Sequence, residues 1–330
     1  MPSGWTAVAV AAAVSVLAIG SAVLGAGGIQ DGARATELAE RIIPGGSGPT
    51  IADCPVFPPD NAWNQDVSAA PLHPRSDRYI AAIQASGTDN LHPDFGSNPD
   101  YGIPYVVVPP AQPRVPIVYD AYGDESDPGP FPIPLDAPIE GPPGATSGDR
   151  HVIAVQGGTC ELFELFVGRR TGAGWTAASG ARFDLRSNEL RPLGWTSADA
   201  AGLPIFPGLV RYDEVAAGRI DHAIRVTFRR TQRGYILPAT HFASSSTDPD
   251  LPPMGLRLRL RADADLSGLS GQALVIAEAM QRYGLIVADN GSNWFFQGAP
   301  DPRWDDDDLG RLKDIPGTAF EVVDTGPVRR

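Results

Sequence analysis

The segment Gly194–Arg230, GWTSADAAGLPIFPGLVRYDEVAAGRIDHAIRVTFRR, joins a cluster of polar residues to an alternating strand. At its end Ile224, Val226 and Phe228 alternate with polar residues, which is the period-two pattern of a β-strand. Binding and catalytic residues are often carried by loops on a rigid scaffold. The segment therefore predicts β-structure with a functional site near the start of this strand.

Short apolar runs separated by Pro and Gly continue after Cys54 and predict an all-β dominated protein with a few short helices. The predicted strands are Tyr105–Val108, Ile117–Tyr119, His151–Val155, Leu162–Val167, Ile224–Phe228, Leu256–Leu260 and Leu285–Ala288. The predicted helices are Asp77–Ala85 with Ser76 as N-cap, Gly271–Tyr283, and Leu309–Ile315 after the acidic run Asp305–Asp308. Many short strands at this spacing are typical of a β-sandwich or jelly roll.

The proline-rich segment Pro109–Pro143 is too rich in Pro for central strands. We expect it to form a long ordered loop over one face of the domain, with an edge strand at Ile117–Tyr119. Long loops of this kind in compact domains are often binding loops.

The N-terminus predicts export. Residues 1–27 contain the uncharged apolar run Ala7–Leu24, which suits either a cleaved signal peptide or a retained membrane anchor. Residues 28–53 are predicted to be a spacer, and residues 54–330 a single domain, because no internal boundary or repeat is found there. The expected location is extracellular or in the cell envelope.

Two cysteines, Cys54 and Cys160, agree with export, because an isolated pair in an oxidising compartment is most simply one disulfide. A catalytic thiol is the less favoured alternative, since neither residue lies in a nucleophile motif. The net charge of -13 argues against nucleic acid as a partner.

Carboxylates for general acid–base catalysis are plentiful. The candidates are Asp149, Glu164, Asp184, Asp199, Asp213, Glu214 and Asp289. Glu164 lies within an apolar strand, where burial would raise its pKa as an acid catalyst requires, unless it faces water. Glu164 and Glu214 are the preferred acid–base pair.

Histidine is scarce. His151 and His222 each stand at the start of a strand, where a neighbouring carboxylate could tune either one as a proton shuttle. His241 follows Tyr235 across a predicted turn, and with an arginine the two would suit β-elimination from a uronate. Each histidine has the alternative of a purely hydrogen-bonding role.

Arginines alternate with apolar residues in AIRVTFR, Ala223–Arg229, and in GLRLRLR, Gly255–Arg261. If the two strands are neighbours, their arginines form a basic surface that could bind an acidic polysaccharide through carboxylate contacts. A solvated outer face paired with Asp and Glu is the alternative. The predicted substrate-binding residues are Arg211, Arg225, Arg257, Arg259, Trp195 and Trp294, the tryptophans as sugar-stacking surfaces or as core residues.

No HExxH, paired CxxC, complete calcium loop, GxSxG, GxGxxG or Walker motif is present. The sequence therefore predicts neither a metal nor a cofactor.

Three phrases together resemble a family of exported bacterial proteins common in actinobacteria. They are GLVRYDEVAAGRIDHAIRVTF at Gly208–Phe228, PPMGLRLRLRA at Pro252–Ala262 and AMQRYGLIVADNGSNWFFQGAPDPRWDDDDL at Ala279–Leu309. The resemblance covers most of Cys54–Val323. It implies an exported β-rich domain that acts on envelope or environmental polysaccharide, and it supplies no catalytic residue.

The sequence favours an exported polysaccharide-degrading enzyme, a glycoside hydrolase that uses a carboxylate pair. A polysaccharide lyase using His, Tyr and Arg is the second interpretation. A membrane-tethered module that binds envelope glycan without catalysis is the third.

Overall fold

A computed structural model describes residues 43–44 and 48–330. Its strands are β1 (Ile43–Pro44), β2 (Thr50–Ile51), β3 (Cys54–Pro55), β4 (Gln65–Asp66), β5 (His92–Asp94), β6 (Tyr105–Val108), β7 (Ile117–Tyr119), β8 (Val152–Gln156), β9 (Glu161–Phe166), β10 (Arg169–Arg170), β11 (Trp175–Ala177), β12 (Ser179–Asp184), β13 (Ile224–Phe228), β14 (Arg257–Leu260), β15 (Leu285–Asn290), β16 (Phe295–Gln297) and β17 (Phe320–Val322). Its α-helices are α1 (Ser76–Gln84), α2 (Tyr212–Ala216), α3 (Gly271–Arg282) and α4 (Asp306–Gly310).

The largest sheet has six strands in the order β17-β14-β15-β13-β16-β5. Strand β13 runs parallel to β15 and antiparallel to β16, whereas β14 runs antiparallel to β15. Strand β15 therefore separates the two arginine-bearing strands β13 and β14.

The second sheet has four strands in the order β12-β9-β8-β6. Alternation along β8 divides its residues between two cores: Ile153 and Val155 join the main core, whereas Val152 and Ala154 join a smaller one. The smaller core includes Phe131, from the proline-rich segment. Both faces of this sheet are thus covered, and the segment Pro109–Pro143 covers one of them as predicted.

The β-rich class is confirmed, with several sheets and one sheet curled into a half barrel. All seven predicted strands form, with ends that differ by at most two residues. The helix predicted at Asp77–Ala85 forms, but Ser76 is its first residue rather than its cap. The Ser76 hydroxyl instead accepts a hydrogen bond from the Val322 amide at 2.9 Å.

The third predicted helix begins earlier and is shorter than expected. Asp305 is the N-cap of α4, and its carboxylate accepts hydrogen bonds from the amides of Asp307 and Asp308. The chain then continues as a 3-10 turn over Arg311–Asp314.

The predicted disulfide is present. It joins Cys54 to Cys160 across 106 residues, and both residues are buried. The apolar run Ala7–Leu24 lies outside the described residues. Within residues 48–330, the helices are too short or too polar to cross a membrane.

Candidate active site

A buried ion pair on the six-stranded sheet forms the centre of the candidate site. Arg225, on β13, donates from Nε and Nη2 to the two oxygens of Asp199, at 3.1 and 2.8 Å. Its Nη1 donates to Oε1 of Gln297, on β16, at 2.7 Å. Charged groups this deeply buried are costly unless they are paired and hydrogen-bonded, and this pair satisfies both conditions.

Hydrogen bonds hold the loop that carries Asp199 in place at Asp199 itself and two residues later. The amide of Asp199 donates to the hydroxyl of Ser197 at 2.9 Å, and the amide of Ala201 donates to the carbonyl of Ala288, on β15, at 3.0 Å. The loop is therefore attached to the strand that carries Asp289.

Asp289 is a partly exposed carboxyl group beside this ion pair. Burial raises its pKa to about 7, and the negative charge of Asp199 adds to the rise, whereas Arg225 opposes it. A carboxyl group with this pKa can hold a proton near neutral pH and release it to a substrate.

Glu140 and His151 form the second half of the site. Oε2 of Glu140 accepts hydrogen bonds from the His151 amide at 3.1 Å and from its Nδ1 at 2.6 Å. The other ring nitrogen, Nε2, lies 3.1 Å from the Ala198 carbonyl. Because both neighbours are acceptors, both ring nitrogens must donate, and the imidazole is held as its cation.

The pKa values of His151 and Glu140 are shifted from their ordinary values in opposite directions. Burial lowers the pKa of His151, but the carboxylate of Glu140 outweighs it and raises the pKa to about 9. Burial favours the neutral form of Glu140, but the contacts with His151 and the charge of Arg225 hold its pKa below the usual range. His151 is thus a fixed cation at neutral pH, which does not support its predicted role as a proton shuttle.

We define the Arg225 cluster as the residues that share this electrostatic environment: Glu140, His151, Glu164, Asp199, Arg225 and Asp289. Glu140, Asp199 and Asp289 all act on the charge of Arg225. Five of the six were candidates from the sequence, all except Glu140. Glu164, Arg225 and Asp289 lie on β9, β13 and β15, His151 directly precedes β8, and Asp199 lies in a loop.

Glu164 is completely buried within the cluster. Its carboxylate accepts hydrogen bonds from the amides of Ile205 and Phe206 at 2.9–3.0 Å. Burial raises its pKa to about 7, as expected from the sequence, although these amides oppose the rise. A substrate cannot reach a fully buried carboxyl group, so its position fits a residue that holds the loop over the site better than an acid catalyst.

Asp149 and Arg150 directly precede the buried His151 in the chain. Asp149 is exposed, and its charge acts on both His151 and Asp289. Arg150 has a φ of 46°, and its buried Nη1 has no hydrogen-bond partner among the described residues. Strained backbone and unsatisfied buried donors are both concentrated at functional sites.

Glu214 belongs to a different cluster. Its carboxylate contacts Nη2 of Arg211 at 2.6 Å and Nε2 of His222 at 3.2 Å. Burial opposes ionisation, but Arg211 and His222 lower the pKa of Glu214. Arg211 also donates to the carbonyl of Phe206, and the amide of Phe206 donates to Glu164. Arg211 and Phe206 thus connect the two predicted catalytic glutamates.

A cavity of about 260 Å³ adjoins the Glu214 cluster, and its lining includes Tyr105, Arg211 and Tyr212. His222 is fully buried, with Nδ1 2.7 Å from the Ala223 carbonyl. Its imidazole is therefore held by protein groups on both sides.

Asp184 and Trp294 lie outside both clusters. Asp184 is exposed and pairs with Arg186 at 3.3 Å. Trp294 is fully buried, and its Nε1 donates to Gln84 at 2.7 Å, so it is a core residue and not a sugar-stacking surface. Trp195 is partly exposed and lies against the guanidinium of Arg191, 5.7 Å from ring centroid to Cζ.

The predicted basic surface does not form. Strands β13 and β14 are separated by β15, and Arg225 and Arg257 are only 3% exposed. Arg259 pairs with Glu321 at 2.7 Å and donates to three carbonyls. Alternation placed these arginines on one face of each strand correctly, but other parts of the chain cover that face.

Sequence reasoning missed Glu140, Gln297 and Arg150. Glu140 lies in the proline-rich segment, and no local pattern indicates that it meets a histidine 11 residues away. The signal that could have indicated Glu140 is its position in a long loop that was predicted to cover the domain.

Among the described residues, no group of three or more His, Cys, Asp and Glu side chains could hold a metal ion. Comparisons with protein-family models, curated proteins and solved structures found no match. The arguments on function therefore rest on the residues of this chain.

Proposed function

We propose that the protein is an exported enzyme that hydrolyses an acidic or cell-envelope polysaccharide with a carboxyl pair in the Arg225 cluster. One observation carries the proposal. Asp289 and Glu140 both lie close enough to Arg225 to act on its charge, and their pKa values are shifted in opposite directions. When the pKa values of two carboxyl groups in one site are shifted apart, the two groups are assigned as its acid and its base.

In this mechanism Asp289 is the general acid. Its carboxyl group keeps a proton near neutral pH and is partly exposed, so it can protonate the oxygen of the leaving sugar. Glu140 is the general base. Its Oε2 is occupied by His151, and Oε1 has no hydrogen-bond partner among the described residues, which leaves that oxygen for the attacking water.

The remaining groups would position these two. His151 would orient Glu140. The ion pair with Asp199 would hold the positive charge of Arg225 next to both the acid and the base. Arg150, which is partly exposed and directly precedes His151, would bind a carboxylate of the glycan. We further propose that the four-stranded and six-stranded sheets are the two layers of a sandwich, because one apolar core contains residues of both.

The test is turnover by the purified protein on a panel of acidic and neutral polysaccharides from bacterial envelopes and plants. New reducing ends without ultraviolet-absorbing products are expected. Asp289→Asn and Glu140→Gln should each lower turnover by about 10²–10⁴-fold, the usual contribution of general acid–base catalysis.

Asp184→Asn is the matched control, since it removes an exposed carboxylate outside the cluster and should leave turnover unchanged. Full activity of both cluster variants, with unchanged melting temperatures, would place the chemistry elsewhere. Glycan retention without any product would overturn the enzyme proposal in favour of a binding module.

One observation favours a lyase as the second candidate. Nδ1 of His241 lies 2.8 Å from the carbonyl of Ala200, next to Asp199, so Nδ1 donates and the neutral ring carries its lone pair on Nε2. A half-buried imidazole in this state is a suitable base for removing the C5 proton of a uronate. Unsaturated, ultraviolet-absorbing products that are lost in His241→Ala would select this reaction.

A further inference from the structure

A cavity of about 400 Å³ lies between the residues just after β3, strands β14 and β15, and the C-terminal segment. Its apolar wall includes Leu190, Ile236 and Ile286, and Arg257 also lines it. This volume is within the range of small-molecule binding sites, which combine apolar walls with a few polar groups.

Arg257 is an unusual buried arginine. It is 3% exposed, and it donates to the carbonyls of Tyr283, Ala62 and Gln65 at 2.7, 2.7 and 3.2 Å. A guanidinium has five N–H groups, so three of them are used and two remain. None of the described carboxylates lies within ion-pair distance of it.

Two other strand arginines, the buried Arg225 and the partly buried Arg259, differ in this respect. Arg225 pairs with Asp199 at 2.8 Å, and Arg259 pairs with Glu321 at 2.7 Å. Burial lowers the pKa of Arg257 to about 9, and the charge of Asp66 opposes this fall. Because buried charges are normally paired, we expect the guanidinium of Arg257 to bind an anion.

The polar groups at the rim agree with an anionic ligand. Arg329 lines the cavity, is exposed, and is held through its backbone to Tyr235 at 2.7 and 3.0 Å. The one carboxylate in the lining, Asp60, accepts a hydrogen bond from Nδ2 of Asn188 at 2.9 Å. Two guanidinium groups against one carboxylate leave the cavity with a net positive charge.

We propose that this cavity binds a small organic molecule with one carboxylate, held by Arg257 and Arg329, and with its body against Leu190, Ile236 and Ile286. A planar guanidinium fork matches a carboxylate in geometry. The site is independent of the Arg225 cluster and of the proposed hydrolysis. A free organic acid and the uronate end of a glycan share this chemistry.

The test is calorimetric titration and thermal unfolding of the full chain in carboxylate-free buffer. Benzoate represents a free organic acid and glucuronate a sugar acid, with benzamide and glucose as their neutral counterparts. At least one of the two acids should bind with a Kd of about 1 mM or tighter and raise Tm by about 2 °C or more, while its neutral counterpart does neither.

Three variants locate the binding. Arg329→Gln should weaken it about tenfold, and Leu190→Trp, at an exposed wall position, should abolish it by filling the cavity. Arg230→Gln removes an exposed arginine outside the lining and should bind like the wild type. These changes avoid Arg257, whose loss would also break three carbonyl contacts.

Binding of benzoate alone would identify a free organic acid, and binding of glucuronate alone a glycan end; either supports the site. No binding of either acid at about 10 mM, or unchanged binding in both Arg329→Gln and Leu190→Trp, would overturn it. Hydrolytic turnover is measured separately, so failure of one proposal does not affect the other.

Discussion

Individual side chains in the Arg225 cluster link the stability of the protein to pH. Glu164 is fully buried with a pKa of about 7, above the usual value of 4.5, so the folded state favours its protonated form. Its contribution to stability is therefore complete below about pH 4.5 and is lost as the pH rises through 7.

Glu164→Gln should remove this pH dependence of stability, because the side-chain amide of glutamine does not titrate. From about pH 5 to about pH 8, the free energy of unfolding of the wild type should fall by about 2 kcal/mol relative to the variant. Urea unfolding at the two pH values measures this difference. Parallel pH profiles of the two proteins would show that Glu164 titrates normally.

The Asp199–Arg225 pair should show strong coupling. Arg225→Met leaves the carboxylate of Asp199 buried without its partner, which should lower the free energy of unfolding by about 3–5 kcal/mol. The double variant with Asp199→Leu should be less destabilised than the sum of the single changes. Additive changes would mean that the two side chains do not interact.

Arg186→Met is the control for this experiment, since it breaks the exposed pair with Asp184. The expected change is about 0–1 kcal/mol, as for other surface ion pairs.

At the scale of single elements, the end of α3 depends on one glycine. Gly284 has a φ of 69°, and a Cβ atom there would lie 2.0 Å from the carbonyl oxygen of Leu258, on the neighbouring strand β14. Gly284→Ala should therefore lower the free energy of unfolding by more than about 1 kcal/mol. Thermal unfolding compares it with Gly172→Ala, where no atom lies within 4 Å; equal melting temperatures would contradict the argument.

The strands could be predicted because each depends on a local pattern. Ile224–Phe228 and Tyr105–Val108 form with the predicted bounds, since alternating or continuous apolar residues between turns specify a strand directly. Period two also assigned Arg225 and Arg257 to one face of each strand correctly. It could not show whether that face meets solvent, because the covering segments come from distant parts of the chain.

The composition of the site was only partly predictable for the same reason. His151 was identified because it stands at the start of a strand, and Asp289 was one of seven candidate carboxylates. Glu140 depends on the path of a loop with no repeating pattern. Glu164 was identified from its apolar neighbours. Glu164 is buried because both faces of the four-stranded sheet are covered. The residue pattern of β9 alone could not predict that covering.

At the scale of the whole molecule, the disulfide should contribute strongly to stability. Cys54 and Cys160 close a loop of 106 residues in sequence, and a bridge of this span restricts the unfolded chain. Cys54→Ala/Cys160→Ala should lower the free energy of unfolding by about 2–5 kcal/mol. Chemical denaturation with and without reductant measures it, and equal midpoints in the wild type would contradict the expectation.

The same bond determines how the molecule responds to mechanical load. Cys160 lies in the turn between β8 and β9, inside the four-stranded sheet. Tension applied to the chain before Cys54 therefore passes through sulfur directly into this hairpin and bypasses the segment between the two cysteines. With the bridge intact, tension therefore enters the domain at the β8–β9 hairpin. With the bridge reduced, tension passes from β3 along the segment between the two cysteines, and the strands of that segment would separate one after another.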